Sequence, residues 1–509
     1  MRSGRIAALR PSASAATQLR SRSAGARQAK IEADLAALTA TGLYDYVEPD
    51  YIQYATALPS DAAFADGTLW GLRNTGQGGG VSGADIDAVA AWDITTGSSA
   101  VVVGVIDTGI RYTHQDLAAQ VWVNPDEIPG DGIDNDGNGY IDDVHGINAI
   151  TGSGDPMDDN NHGTHCSGTI GASANDAGPI VGVCWNVRLM GLKFLGAGGS
   201  GATSDAIKCI EYALEKGVRI LSNSWGGGGY SQALEDAIKT ARDQGCLFLA
   251  AAGNSGMDAD RWDFYPACYD VDNIVSVGAL DRSDQLASFT NTGLSRVDLA
   301  APGVDIYSSV ASGDSAYASF NGTSMATPHV AGVAALLLAR YPALTATELR
   351  NRLLCSTREV AALRSYSWSG GAVDAYRALT IAEDGILEVR SSAVQVPLRA
   401  GKTESLFLVV TDAAPILGAA VTGALGGGSV VTFHDDGIAP DRAVGDGVYS
   451  AVATVPTGVT ETTLSATIVK ADKATYDGTF SYAVAAAPAN DDLATATVVA
   501  AGTTTVSGT

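Results

Sequence analysis

Val218-Arg-Ile-Leu-Ser, then Ser231-Gln-Ala-Leu-Glu-Asp-Ala-Ile-Lys-Thr-Ala-Arg-Asp-Gln244, then Cys246-Leu-Phe-Leu-Ala-Ala251 read as strand, helix, strand. The outer pieces are short apolar runs of the kind buried on both faces of a parallel sheet. The middle piece places apolar residues at helical spacing, with charges on the opposite face. Upstream, Val101-Val-Val-Gly-Val-Ile106 is another buried strand. From Leu69 to about Asp384 strands and helices alternate in this way. The expectation is an α/β fold: a doubly wound, mostly parallel sheet with helices on both faces.

The 509 residues carry a net charge of −25, 17% charged residues and 46% hydrophobic ones. Enough apolar material is present for a large core, and such acidity argues against nucleic acid as a partner. No run is long enough for a membrane span. Seven basic groups and no acid stand in residues 1–30, read as a basic tail or incomplete N-terminus without a secretory signal's apolar stretch. Residues 31–57 read as a helix followed by an aromatic strand, and 58–68 as a linker. After Gly385 the texture changes: residues 386–485 alternate in twos, as in Leu464-Ser-Ala-Thr-Ile-Val469, and predict an all-β sandwich. Residues 488–509 open a further segment. The six cysteines (166, 184, 209, 246, 268, 355) have no metal-site spacing, and could be disulfide-linked or buried free thiols.

Four segments carry chemistry. Asp107 ends an apolar strand, where a carboxylate is costly unless paired. His162 opens Asn161-His-Gly-Thr-His-Cys-Ser-Gly-Thr-Ile-Gly171, a glycine-rich helix start. Ser324, in Asn321-Gly-Thr-Ser-Met-Ala-Thr-Pro-His329, opens a long apolar helix, where backbone N–H groups lack helical acceptors. Asn254 follows a strand and Gly253, where its amide suits a turn or a developing oxyanion. Singly, each also reads as a cap or a turn. Together, Asp107, His162 and Ser324 follow one of the known chain orders of a nucleophile–base–carboxylate triad.

The strings Val105-Ile-Asp-Thr-Gly109, His162-Gly-Thr-His165 and Gly322-Thr-Ser-Met-Ala-Thr-Pro-His329 closely resemble those of the subtilisin-like serine proteases, over residues 69–384. The resemblance implies a secreted serine endopeptidase. Ser324 would be the nucleophile, His162 the base, Asp107 its orienting carboxylate, and Asn254 the oxyanion donor beside the Ser324 N–H. It implies that Ser222, Asn223, Ser224, Trp225 and Gly226 form one wall of the substrate cleft and Ala251, Ala252 and Gly253 the other. Phe264 aligns with the pocket floor; it either narrows the pocket or turns into the core. Cys166 resembles the buried free cysteine beneath the catalytic histidine in the proteinase-K-like branch, with a disulfide as the alternative. His165 and His329 are expected to be structural.

Asp134-Asn-Asp136-Gly-Asn138-Gly-Tyr140-Ile-Asp142-Asp143 begins like an EF-hand loop, but His145 stands where a bidentate Glu closes such loops. The expected ligands of a structural calcium are Asp134, Asp136, Asn138, Tyr140, Asp142 and Asp143. By resemblance, Asp116 belongs to a second calcium site. Residues 31–57 resemble the end of an inhibitory propeptide, with maturation within 55–66, and 488–509 the start of a pre-peptidase C-terminal domain. The expected partners are protein or peptide substrates and the chain's own propeptide, in a monomer without nucleic acid or membrane. The rival readings are a catalytically silent fold and an adhesion protein acting through its C-terminal β-modules.

Overall fold

Gly97–Asp107 is buried progressively toward its C-terminal end, because Val103, Val105 and Ile106 meet apolar layers on both faces. In this computed structural model it lies inside a nine-stranded sheet. The spatial order is Arg358–Glu359, Gly371–Ala372, Leu299–Pro302, Ile274–Leu280, Leu247–Ala251, Ile220–Asn223, Gly97–Asp107, Asn186–Lys193 and Gly146–Asn148. Every pair is parallel except the outermost, Arg358–Glu359 with Gly371–Ala372. The chain leaves Gly97–Asp107 to one side for the next two strands, then crosses to the other. This reversal opens a crevice at the strands' carboxyl ends.

The structure describes residues 58–486 except 177, 365, 382–387, 392–396, 413–415, 442–444 and 446, together with Ile6–Leu9, Ala40 and Tyr46–Pro49. One apolar layer lies between the sheet and the helix Thr323–Arg340, whose small and aliphatic residues are buried on all sides. The opposite layer lies under the helices Thr203–Glu215 and Gln232–Asp243. The expected βαβ unit is therefore present, with Ser231 capping its helix by accepting the Leu234 N–H.

The stretch read as a linker is instead packed. Ala62–Ala65 is a helical turn whose Ala63 and Phe64 join the main core, and Asp61 is buried beneath it. Small residues looked like linker material, but here they allow close approach. Ile6–Leu9, inside the basic tail, pairs in parallel with Tyr46–Pro49. The rest of 1–57, and 488–509, lie outside the described residues.

The C-terminal region holds a three-stranded sheet (Glu388–Ser391, Thr403–Thr411, Val448–Thr454) and a five-stranded one (Leu398–Arg399, Tyr476–Ala485, Glu461–Val469, Ala420–Leu425, Val430–Phe433). They share one core, including Leu408, Val421, Tyr449, Leu464 and Tyr482. Glu461–Val469 alternates buried and exposed, as its two-residue pattern predicts.

Candidate active site

Asp107 closes the central strand and is fully buried. Its Oδ1 accepts the Thr108 N–H at 2.7 Å, and its two oxygens lie 2.8 and 3.0 Å from His162 Nδ1. An ionised carboxylate accepts only, so the imidazole proton sits on Nδ1 and Nε2 keeps its lone pair. Burial works against the imidazolium, but the charge and hydrogen bond of Asp107 outweigh it, with Asp158 adding, so the His162 pKa is raised. The His162 side chain stays 27% exposed, so one edge remains accessible.

The helix His162–Gly171 delivers this ring by close packing. A Cβ on Gly163 would lie 2.1 Å from the Gly109 carbonyl and 3.1 Å from Asp107 Cβ, so only glycine lets the helix reach the strand end. Asn161, before His162, has φ +113°, a strained value for a non-glycine residue. Asp158 holds the start: Oδ1 accepts the Asn160 and Asn161 N–H groups, and Oδ2 accepts the N–H and hydroxyl of Thr164. Sequence reasoning missed Asp158; an acid just ahead of a helix start was the available signal.

Ser324 is the second residue of Thr323–Arg340, so its N–H has no helical acceptor. Pro328 stands four residues on and has no N–H, so the Ser324 carbonyl loses its helical donor too. That carbonyl instead accepts from Ser224 Oγ (2.9 Å) and Cys166 Sγ (3.4 Å). The Ser324 hydroxyl donates to the Ser224 carbonyl at 3.0 Å. Asn254 Oδ1 accepts both the N–H and the hydroxyl of Thr323 at 2.9 Å. This leaves Nδ2 as a donor, on the side of Gly322 and the Ser324 N–H.

None of the six cysteines is disulfide-bonded, and all are buried. Burial, then the charge of Asp107, pushes the Cys166 thiol well up, so it is neutral beneath the pair. His165 is buried, contacts the Ile306 carbonyl through Nε2 and stacks on Phe320. His329 Nδ1 contacts the Met325 carbonyl. Burial lowers both to a pKa of about 4, as expected of neutral structural groups.

Of the expected cleft residues, Ser222 and Asn223 lie inside the sheet, and Asn223 Nδ2 is spent on the Leu221 and Leu249 carbonyls. Ser224, half-buried Trp225 and exposed Gly226 continue beyond the strand end. Ala251, Ala252 and Gly253 are buried opposite them. The Phe264 ring lies between Gly226 and Gly253.

Two places hold buried carboxylate oxygens without hydrogen-bond partners. Asp116 is fully buried with both carboxylate oxygens lacking a hydrogen-bond partner, and burial raises it to a pKa of about 6. The Gly178 backbone lies so close that a Cβ there would overlap Asp116 Oδ1. Asp61, bonded to the Asn175 N–H, and Asp176 both act on its charge. In the 131–143 loop the converging carboxylates are Glu127, Asp134 and Asp136, with ligand atoms within 4.8 Å of one another. Glu127 Oε2 is buried without a partner. Asp134 and Asp136 of the expected set are in this group. Asp142 instead binds the Gly130 and Gly132 N–H groups. Asp143 is enclosed by Asn124, Asn138 and the Tyr212 hydroxyl. Asn138 is spent on Asp143 and the Tyr140 N–H, and the Tyr140 ring packs against Tyr212. Both Asp61 and Glu127 escaped the sequence reading because they lie outside the motifs.

The model of the subtilase family matches residues 98–372, more than half of the chain. This chain belongs to the subtilase family and is a subtilisin-like serine endopeptidase. Thermophilic serine proteinase from Bacillus sp. (strain AK1) is 36% identical over 350 residues, covering 69% of this chain and 76% of that protein. Subtilisin DY from Bacillus licheniformis is 40% identical over 254 residues, covering 50% and 82%. Thermitase from Thermoactinomyces vulgaris is 36% identical over 294 residues, covering 58% and 93%. A cold adapted subtilisin-like serine proteinase of solved structure matches 54% of this chain and 89% of its own, at 34% identity and a TM-score of 0.45.

Proposed function

We propose that Asp107, His162, Ser324 and Asn254 carry peptide-bond hydrolysis in a secreted endopeptidase. The observation that carries this reading is the buried Asp107 carboxylate bonded to His162 Nδ1, beside the free N-terminal turn that presents Ser324. His162 Nε2 takes the Ser324 proton as Oγ attacks the scissile carbonyl. The developing oxyanion accepts from the Ser324 N–H and Asn254 Nδ2. His162 returns the proton to the leaving amine, then activates the water that releases the acyl group. Ser324 must first leave the Ser224 carbonyl. An extended peptide laid along 224–226 takes that carbonyl with its own N–H and frees the hydroxyl.

Asp61, Asp116 and Asp176 on one side, and Glu127, Asp134 and Asp136 on the other, would hold calcium, which neutralises these carboxylates and stiffens their loops. Residues 31–57 act as an inhibitory propeptide. Maturation falls on the N-terminal side of Asp61, a reading that its burial supports. The homologues' character supports export. The test is paired expression of the chain and Ser324→Ala, with casein hydrolysis and N-terminal mass loss as readouts. Processing and hydrolysis in wild type alone support the reading; equal behaviour of the two overturns it.

A further inference from the structure

Gly253 precedes Asn254, and Gly226 follows Ser224-Trp225, whose backbone touches Ser324. With the cleft walls that the family resemblance implies, the side chain of the residue that supplies the scissile carbonyl, P1, would lie between these two glycines. That slot already holds a ring. A Cβ on Gly226 would stand 2.2 Å from Phe264 Cε1 and 2.6 Å from Cζ. A Cβ on Gly253 would stand 2.3 Å from Asn291 Nδ2 and 3.0 Å from Phe264 Cδ1 and Cγ. The ring lies against both glycines, and a Cβ on either would crowd it.

The surroundings hold this arrangement. The Gly227 N–H donates to the Tyr265 carbonyl at 2.9 Å, tying one wall to the segment that carries the ring. The Cys268 N–H donates to the Phe264 carbonyl at 3.0 Å. Opposite, the Gly253 N–H donates to Thr323 Oγ1 at 3.2 Å and Asn291 Nδ2 to the Ala252 carbonyl at 2.8 Å. Phe264 packs on the cluster of Ala252, Ala259, Cys268 and Val297. The Phe264 ring therefore occupies space beside both pinned glycines.

We propose that Phe264 is the specificity-determining residue and that this enzyme cleaves after small residues: glycine, alanine and serine. The inference rests on the roles given above to Ser324 and Asn254. A large P1 side chain enters only by displacing the ring from its packing, whereas a methyl or hydroxymethyl group rests on it.

The test uses the full chain and peptide nitroanilides that differ only at P1 (Gly, Ala, Ser, Leu, Phe). Wild type should favour Ala over Phe by at least about tenfold in kcat/KM, the scale of discrimination by pocket volume. Phe264→Ala should reverse that ratio, and Phe264→Met, with a slimmer and flexible side chain, should fall between. Titration with a fluorophosphonate counts competent Ser324 in each protein and corrects for misfolded material. A wild type that cleaves after Phe or Leu as fast as after Ala overturns the proposal. So does an unchanged ratio in a fully labelled Phe264→Ala. A chain that neither labels nor hydrolyses any peptide fails earlier, at the triad.

Discussion

His162 shows how one contact fixes both orientation and protonation. Asp107 holds the proton on Nδ1 and raises the ring's pKa against burial, so neutral, basic His162 prevails only above its ordinary value of about 6.5. The acid limb of kcat/KM is expected above that pH, and Asp107→Asn should lower both the limb and the rate, read from pH–rate profiles. Asn254→Ala should cost about 10²–10³ in kcat, a magnitude established on a subtilisin donor. A loss in KM alone would assign Asn254 to binding instead. These residues were legible in the sequence because each sits in a motif at an element boundary. Asp158 and Glu127 were not, because their roles depend on which loops fold over them. The Phe264 alternatives depend on where Gly226 and Gly253 stand, which no local pattern reports.

At the scale of elements, the site is two helix starts aimed at one strand end. His162–Gly171 reaches Asp107 because Gly163 has no Cβ. Gly163→Ala should destabilise the fold by about 1–3 kcal/mol, as overpacking does, and lower kcat by misplacing His162. Denaturant midpoints and turnover should therefore fall together. Pro328 releases the Ser324 carbonyl, so Ser324 is tied by Ser224 and Cys166 rather than by its own helix. The cation groups belong here too, since they close loops. Calcium at 100 times its dissociation constant adds about 2.7 kcal/mol per site. Chelation should lower the thermal midpoint of wild type, with a smaller response in Asp116→Ala and in Glu127→Gln. The strand–helix–strand unit at 218–251 was readable from periodicity alone. The packed turn at Ala62–Ala65 was not, because Ala and Asp carry no strong local signal of burial.

Over the whole molecule, the α/β region and the C-terminal β-rich region have separate hydrophobic clusters, with no residue in common among those described. A chain ending at residue 381 should keep casein hydrolysis; its loss would show that the β-rich region supports the catalytic one. All six thiols are buried. Ellman's reagent should meet none in the native protein and all six after denaturation, whereas disulfides would leave fewer under non-reducing conditions.

The sequence by itself determined the parallel α/β sheet, the β-rich tail and the residues able to act as nucleophile, base and oxyanion donor. Those signals are local: periodicity, chain order and residues at element ends. Tertiary structure alone decided what long-range packing controls. It gave the Asp142 and Asp143 carboxylates hydrogen-bond donors, brought Glu127 beside Asp134 and Asp136, and buried Asp61 against the loop near Asp116. It also set a phenylalanine ring between two glycine walls, because those three residues meet only when the sheet has formed.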